Sequence, residues 1–279
     1  MELRTRMYPA LTNHEIEQYM ENNDLIFIPV GVVEAHGALP VDSETRLAEA
    51  IALKMAEVAD GLVLPNLPYF FAGSTVSGRG TIEISIQSGI AYLMNIAESL
   101  LRQGFRRQIY VTSHGPAYLT VSPMIRDFFN ETKVPILYID ILPASQAIGF
   151  NLLEHFHKMT IGAYKLLGRL DDVPLQVPES NSVTYDINKA REGMEKDPAN
   201  KLGKLSYQSG AIGSFFYEAY CHMPTPFIHS KEEREKLADE GILYIEELVE
   251  KLNVPEIVNT LKDTDEYVNK IALKKFSWL

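Results

Sequence analysis

Four short apolar runs, each separated from the next by a stretch of helical periodicity, limit what this chain can fold into. The runs are Leu25-Ile26-Phe27-Ile28-Pro29-Val30, Leu62-Val63-Leu64-Pro65, Gln108-Ile109-Tyr110-Val111-Thr112 and Pro135-Ile136-Leu137-Tyr138-Ile139. Each is short, apolar and rich in β-branched or aromatic residues, the signature of a strand buried on both faces. Helical patterns cover His14–Met20 after Thr12-Asn13, Glu44–Ala59 with Ser43 as N-cap, residues 87–103 closed by Gly104, and Pro116–Asn130. Strand–helix alternation to residue 140 predicts an α/β fold: a largely parallel sheet flanked by helices on both faces. Gly73–Gly80 carries three glycines and small hydroxyl residues and reads as a loop. Beyond 143 a helix near 145–170 is expected, then loops that cover the site. A long helix over 230–252 follows, with Ser230 and Glu233 in a capping-box pattern.

The chain has 279 residues, 46% of them hydrophobic, enough for a large core, and it is read as a single domain over 1–279. The net charge of −11 argues against nucleic acid, because phosphate neutralisation needs a basic surface. No apolar run is long enough to span a bilayer, and no apolar stretch resembling a signal peptide follows Met1–Arg6. Cys221 is the only cysteine, so no internal disulfide framework exists, and a cytoplasmic location is expected.

The chemistry concentrates just past the first apolar run, in Glu34-Ala35-His36-Gly37-Ala38-Leu39-Pro40-Val41-Asp42-Ser43-Glu44-Thr45-Arg46. Ligands of open α/β sheets sit at the carboxyl ends of strands. Glu34 and His36 are two apart, so in an extended segment both face one side. Carboxylate with imidazole suits zinc, manganese or iron. His114 lies at the carboxyl end of the third run, while His14, His222 and His229 sit in ordinary helix or loop contexts.

Glu34-Ala35-His36-Gly37, followed by Leu39-Pro40 and an acid, resembles the Glu-x-His-Gly-Pro-His-Leu-Pro…Asp motif of the creatininase (creatinine amidohydrolase) family. Gly80-Thr81-Ile82 resembles its Pro-Gly-Thr-Ile segment, and Thr112-Ser113-His114-Gly115 its Asn-Gly-His-Gly. Gly210-Ala211-Ile212-Gly213, then Ser230 and the helix through Gly241, resemble its late glycine pattern. Order and spacing agree over about residues 10–250. The resemblance implies a divalent metal (Zn, Mn or Fe) held by Glu34, His36, Glu44 and His114. It also implies attack of a metal-bound water on a ring carbonyl of a small cyclic substrate. A homo-oligomer, possibly a hexamer, is a further implication.

Three departures bear on the substrate. The segment after Gly37 is one residue short, which puts Glu44 where the family has its metal-bridging Asp, with Asp42 as second choice and Thr45 in an ungapped alignment. The family carries Glu two residues past the His114 equivalent, or continues Gly-Gly-Asn; here stand Gly115, Pro116 and Ala117, whose side chains hold no metal. Of the later His-Ala-Gly-Glu-x-Glu-Thr-Ser motif only Gly162 survives, within Met159–Lys165. Glu154, His155 and Tyr164 are the candidates for the proton donor that a leaving group requires. His157 and Lys165 are further polar groups nearby, His157 being read as part of a polar helix face. The expected reaction is hydrolysis of a cyclic-amide C–N bond, with a substrate other than creatinine. The alternatives are C–C or lactone hydrolysis of a keto-inositol-type ring, as in hydrolases of 3-dehydro-scyllo-inosose, or a non-catalytic binding protein that kept the fold.

Overall fold

A computed structural model describes residues 3–175 and 227–278, with a few positions between 192 and 215. Cys221, His222 and Gly210–Ile212 lie outside the described residues. The four predicted strands are present as β1 (Leu25–Val30), β2 (Leu62–Val63), β3 (Arg107–Thr112) and β4 (Leu137–Asp140). They form one parallel sheet in the order β2-β1-β3-β4. β1 and β3 pair along their full length, from Leu25 with Arg107 to Val30 with Thr112, so their carboxyl ends lie side by side. β2 is shorter than its apolar run: the Leu64 amide still donates to the Phe27 carbonyl at 3.0 Å, but Pro65 has no amide to continue the ladder.

The helices are α1 (Asn13–Met20), α2 (Ser43–Ala59), α3 (Ile86–Gln103), α4 (Tyr118–Thr132), α5 (Ile141–Ala147), α6 (Leu152–Leu166), α7 (Lys231–Leu252) and α8 (Val254–Tyr267). Side chains alternate across the sheet. Leu25 and Phe27 enter a core built with α2, α6, α7 and α8, whereas Ile26, Ile28 and Val30 enter a second core built with α1, α3 and α4. The result is three layers, helices on both faces of a parallel sheet, as predicted. Among the described residues no helix is long and apolar enough to cross a membrane.

Several boundaries differ from the sequence reading. Ser43 is the first residue inside α2, not its N-cap; Asp42 holds that position, and the Ser43 hydroxyl donates back to the Pro40 carbonyl at 2.6 Å. The helix expected from Pro116 begins at Tyr118, after a 3-10 turn over Gly115–Ala117. The helix expected near 145–170 is two helices, α5 and α6, broken at Gly149 with φ +68°. At the start of α7 the Ser230 hydroxyl accepts from the Glu233 amide at 3.1 Å, but the Glu233 carboxylate takes the His229 amide at 2.7 Å, one residue before the position of a standard capping box.

The α6–α7 crossing explains why Gly162 and Gly241 belong together. A Cβ on Gly162 would lie 2.7 Å from the Gly241 carbonyl carbon, and one on Gly241 would collide with the Lys158 carbonyl. The two backbones touch there, which only glycine at both positions permits.

Candidate metal centre

The site is built where β1 and β3 end. After Val30 the chain turns through Gly31, where a Cβ would meet the Thr45 backbone at 2.8 Å. The missing side chain lets the first turn of α2 come against the exit of β1, and that turn carries Glu44. The β1 exit loop is fixed from two sides. The Glu34 amide donates to the Val41 carbonyl at 2.8 Å, and the Ala35 amide donates to the Thr81 hydroxyl at 3.0 Å. Thr81 in turn donates to the Thr75 carbonyl at 3.0 Å, and the Ile82 amide bonds the Val33 carbonyl at 2.9 Å. The Gly80-Thr81-Ile82 segment thus clamps the strand exit that bears Glu34 and His36.

Glu34, His36 and Glu44 are all buried, and one ligand atom from each lies within 4.8 Å of the others. His114, at the end of β3, joins them: its Nδ1 is 2.6 Å from Glu44 Oε2 and 3.5 Å from Glu34 Oε1. Its Nε2 lies 3.0 Å from the Phe71 carbonyl. A carbonyl can only accept, so this contact assigns the proton to Nε2 and turns Nδ1 toward the carboxylates. The Thr75 hydroxyl meets Glu34 Oε2, and the Ser113 hydroxyl donates to the Glu44 carbonyl at 3.1 Å. Glu34, His36 and Glu44 thus form one group, and His114 reaches it through the two carboxylates.

Burial and the nearby Glu34 push the Glu44 carboxyl up to about 8. For His114, burial favours the neutral ring, but Glu34 and Glu44 outweigh it and hold its pKa well above the ordinary histidine value. Two buried carboxylates beside an imidazole form an electrostatic deficit that protons relieve in the metal-free protein and that a divalent cation would cancel. The donor set, oxygen and imidazole nitrogen on a buried rigid frame, fits a zinc- or manganese-type ion. A cavity of about 160 Å³ opens above it, with Ser74, Thr75 and Ser113 on one side and Leu152, Leu153 and Phe156 of α6 on the other.

The structure does not bring the other candidates to this point. Asp42 faces away, bonded by Arg46 Nε at 2.7 Å and by the Tyr164 hydroxyl. Glu154 is exposed and accepts from Asn151 at 2.8 Å, and His155 stacks on Tyr244 at 3.8 Å between ring centroids. Helix geometry accounts for both: Leu152 and Phe156 are four apart and share the cavity face of α6, while Glu154 and His155 are rotated off it. Tyr164, two turns further along, is spent on Asp42. Thr75 and the Phe71 carbonyl were missed by sequence reasoning. The hydroxyl-rich loop after Gly73 was the available sign for Thr75; a backbone carbonyl leaves none.

The family model described as creatinine amidohydrolase matches residues 9–165, which include Glu34, His36, Glu44 and His114 and all of α6 but its last residue. A 3-dehydro-scyllo-inosose hydrolase from Thermotoga maritima is 31% identical over 148 residues, half of this chain; the chain spans about half, 46%, of that relative's length. Two solved structures share the fold. A Zn-Zn type creatininase mutant has TM-score 0.54 at 18% identity, over 88% of this chain and 97% of its own. A manganese creatininase has TM-score 0.56 at 18% identity, over 93% and 98%. With more than half its length matched by the family model, and with the family's motifs folded onto adjacent strand ends, the chain belongs to the creatininase family.

Proposed function

We propose that this protein is a metal-dependent hydrolase of a small, polar, ring-shaped substrate, with Glu34, His36, Glu44 and His114 as the metal ligands. The observation that carries this is their convergence, buried, at the carboxyl ends of β1 and β3. Zinc and manganese are the ions of the solved creatininases it resembles. An ion held there would lower the pKa of a water toward neutrality and would polarise a carbonyl. The chain's own residues orient and enclose. Thr75 holds Glu34, the Phe71 carbonyl sets the His114 tautomer, and Leu152, Leu153 and Phe156 line the cavity with an apolar wall. Between cyclic amides and keto-inositols, the 31% identity to the Thermotoga hydrolase and the hydroxyl groups of Ser74, Thr75 and Ser113 support the keto-inositol ring.

The test is turnover by the protein loaded with Mn²⁺ or Zn²⁺, offered 3-dehydro-scyllo-inosose, a sugar lactone and creatinine in parallel. Ring opening of the keto-inositol, lost with a chelator and restored by the ion, is expected. Creatinine as the best substrate would reverse the choice of ring. A protein that binds the ion yet opens none of the three would favour a binding role.

Two further results are expected. Replacing Thr75 with valine removes the hydroxyl that holds Glu34 at nearly constant volume. Outer hydrogen bonds of this kind are typically worth about 10–100-fold in metal affinity, so calorimetric Mn²⁺ affinity should fall in that range, with Thr75→Ser recovering most of it. Unchanged affinity would remove Thr75 from the site.

The second concerns pH. Glu44 and His114 both have raised pKa values when folded, so the metal-free fold takes up protons and loses stability as pH rises from about 5 through about 8. A bound ion replaces those protons. The rise in Tm on adding metal should therefore be small near pH 5 and grow toward pH 8. A metal-induced shift that is flat across this range would contradict the assigned ligands.

A further inference from the structure

Resting on the metal reading above, we propose that Tyr164, acting through Asp42, is a positioning residue. It fixes how far the apolar wall of α6 stands from the ligand-bearing first turn of α2, and so which molecules fit above the ion. Tyr164 is fully buried, and its hydroxyl donates to Asp42 Oδ1, two residues before Glu44. Asp42 cannot swivel to follow it. Its other oxygen takes Arg46 Nε at 2.7 Å, Arg46 Nη1 donates to Glu49 Oε2 at 3.0 Å, and Asn66 Nδ2 donates to the same Glu49 oxygen at 2.7 Å. Next to Asn66, Leu67 is bonded twice to the end of β1, its amide to the Pro29 carbonyl and its carbonyl to the Gly31 amide, both at 3.0 Å. The result is a continuous bracket from the β1 exit, through the start of α2, to α6.

The other contacts of α6 leave this bracket something to decide. Salt bridges join α6 to α7, Lys158 with Glu240 at 2.6 Å and Lys165 with Glu235 at 2.7 Å, and the two backbones touch at Gly162. The pair is therefore held as one unit. Toward α2 that unit presents apolar side chains, among them Met159 and Ala163, in the core that Leu47 and Ile51 share. Apolar attraction has no preferred direction. A hydrogen bond weakens steeply with angle and distance, so the bond from Tyr164 to Asp42 sets the register that the apolar contact leaves free. Leu152, Leu153 and Phe156 lie on the same helix, Phe156 about 12 Å along the axis from Tyr164. The helix carries that register to the cavity wall.

Acetohydroxamate and benzohydroxamate test this, because they offer a bound ion the same chelating group and differ in bulk. Both are titrated into the Co²⁺-loaded full-length protein and followed by the visible spectrum of the ion. Tyr164→Phe should bind Co²⁺ within a few-fold of wild type. It should shift the ratio of the two hydroxamate affinities toward the bulkier one by about 10-fold or more, the scale on which a pocket distinguishes one methylene. Asp42→Ala, which removes the acceptor and keeps the phenol, should shift the ratio the same way, and carries the test if Tyr164→Phe does not fold. The double variant should add nothing further, since both changes delete one bond. Tyr19→Phe is the control: it deletes another buried hydroxyl, bonded to the Leu25 carbonyl at 2.7 Å, and should leave the ratio unchanged. An unchanged ratio in the Tyr164 and Asp42 variants, an equal shift in Tyr19→Phe, or loss of Co²⁺ affinity in Tyr164→Phe would overturn the inference and leave the metal reading intact. A wild-type protein that binds no Co²⁺ would overturn both.

Discussion

Glu44→Gln should abolish metal retention, lowering affinity by more than about 100-fold, beyond the usual cost of losing an outer hydrogen bond, and with it all hydrolysis. The protein should stay folded. Glu44 is a buried carboxylate whose charge is disfavoured by burial and by Glu34. A neutral amide of the same shape removes that repulsion, so the metal-free variant should be at least as stable as wild type from about pH 8 upward, where the wild-type carboxyl is substantially ionised. Asp42→Asn is the contrasting change. Its carboxylate serves Arg46 and Tyr164, away from the cavity. It should cost about 1–3 kcal/mol of stability, the range for a charged hydrogen bond, and leave metal affinity within a few-fold. Calorimetric titration of both variants with Mn²⁺ separates the two acids. Retention by Glu44→Gln with loss in Asp42→Asn would exchange their roles.

Gly241→Ala should be the most damaging single methyl in the described fold. α6 and α7 cross with backbones in contact, and the added carbon would fall onto the Lys158 carbonyl. Neither partner is a side chain that can swing aside, so the helices must separate. Both carry core residues, Phe156, Met159 and Ala163 on α6 and Ile245, Leu248 and Val249 on α7. Overpacking costs about 1–3 kcal/mol where the surroundings yield; here the expected loss is about 3 kcal/mol or more. At about 2–4 °C per kcal/mol for a domain of this size class, Tm should fall by roughly 6–12 °C. Gly168→Ala is the control. It carries φ +69° but has nothing within 4 Å of a new Cβ, so only backbone strain of about 1–2 kcal/mol applies. A Tm for Gly241→Ala equal to that of the control would show that the crossing is not tight.

The sheet was legible in the sequence because β1, β2 and nearly all of β3 are buried on both faces and so are written as apolar runs, while the edge strand β4, only partly buried, is still apolar at Leu137–Ile139. The candidate ligands stood out because Glu34, His36 and His114 follow closely on two such runs. Legibility failed where a decision rests on partners distant in sequence. α8 was not anticipated: Asn253 at φ +50° and Pro255 look like the end of a helix, and here they also begin the next one. Glu154 and His155 have the right chemistry near the right place, but the angular position of each on α6 decides what it faces, and that is set by packing on α2 and α7. Ser43 was read as a cap because its hydroxyl could accept an amide; the Pro40 carbonyl claims it as a donor instead.

The cavity has two walls of different origin. One is polar, carries Glu34, Glu44 and His114 and hangs from strand ends locked together by the β1–β3 ladder. The other is an apolar face of α6, presented by Leu152, Leu153 and Phe156. Changes in size or polarity along that helical face can reshape what enters without moving a carboxylate or an imidazole. A lineage built on this plan can therefore trade one ring for another while its inorganic chemistry stays fixed, and relatives with the same strand-end residues need not share a substrate.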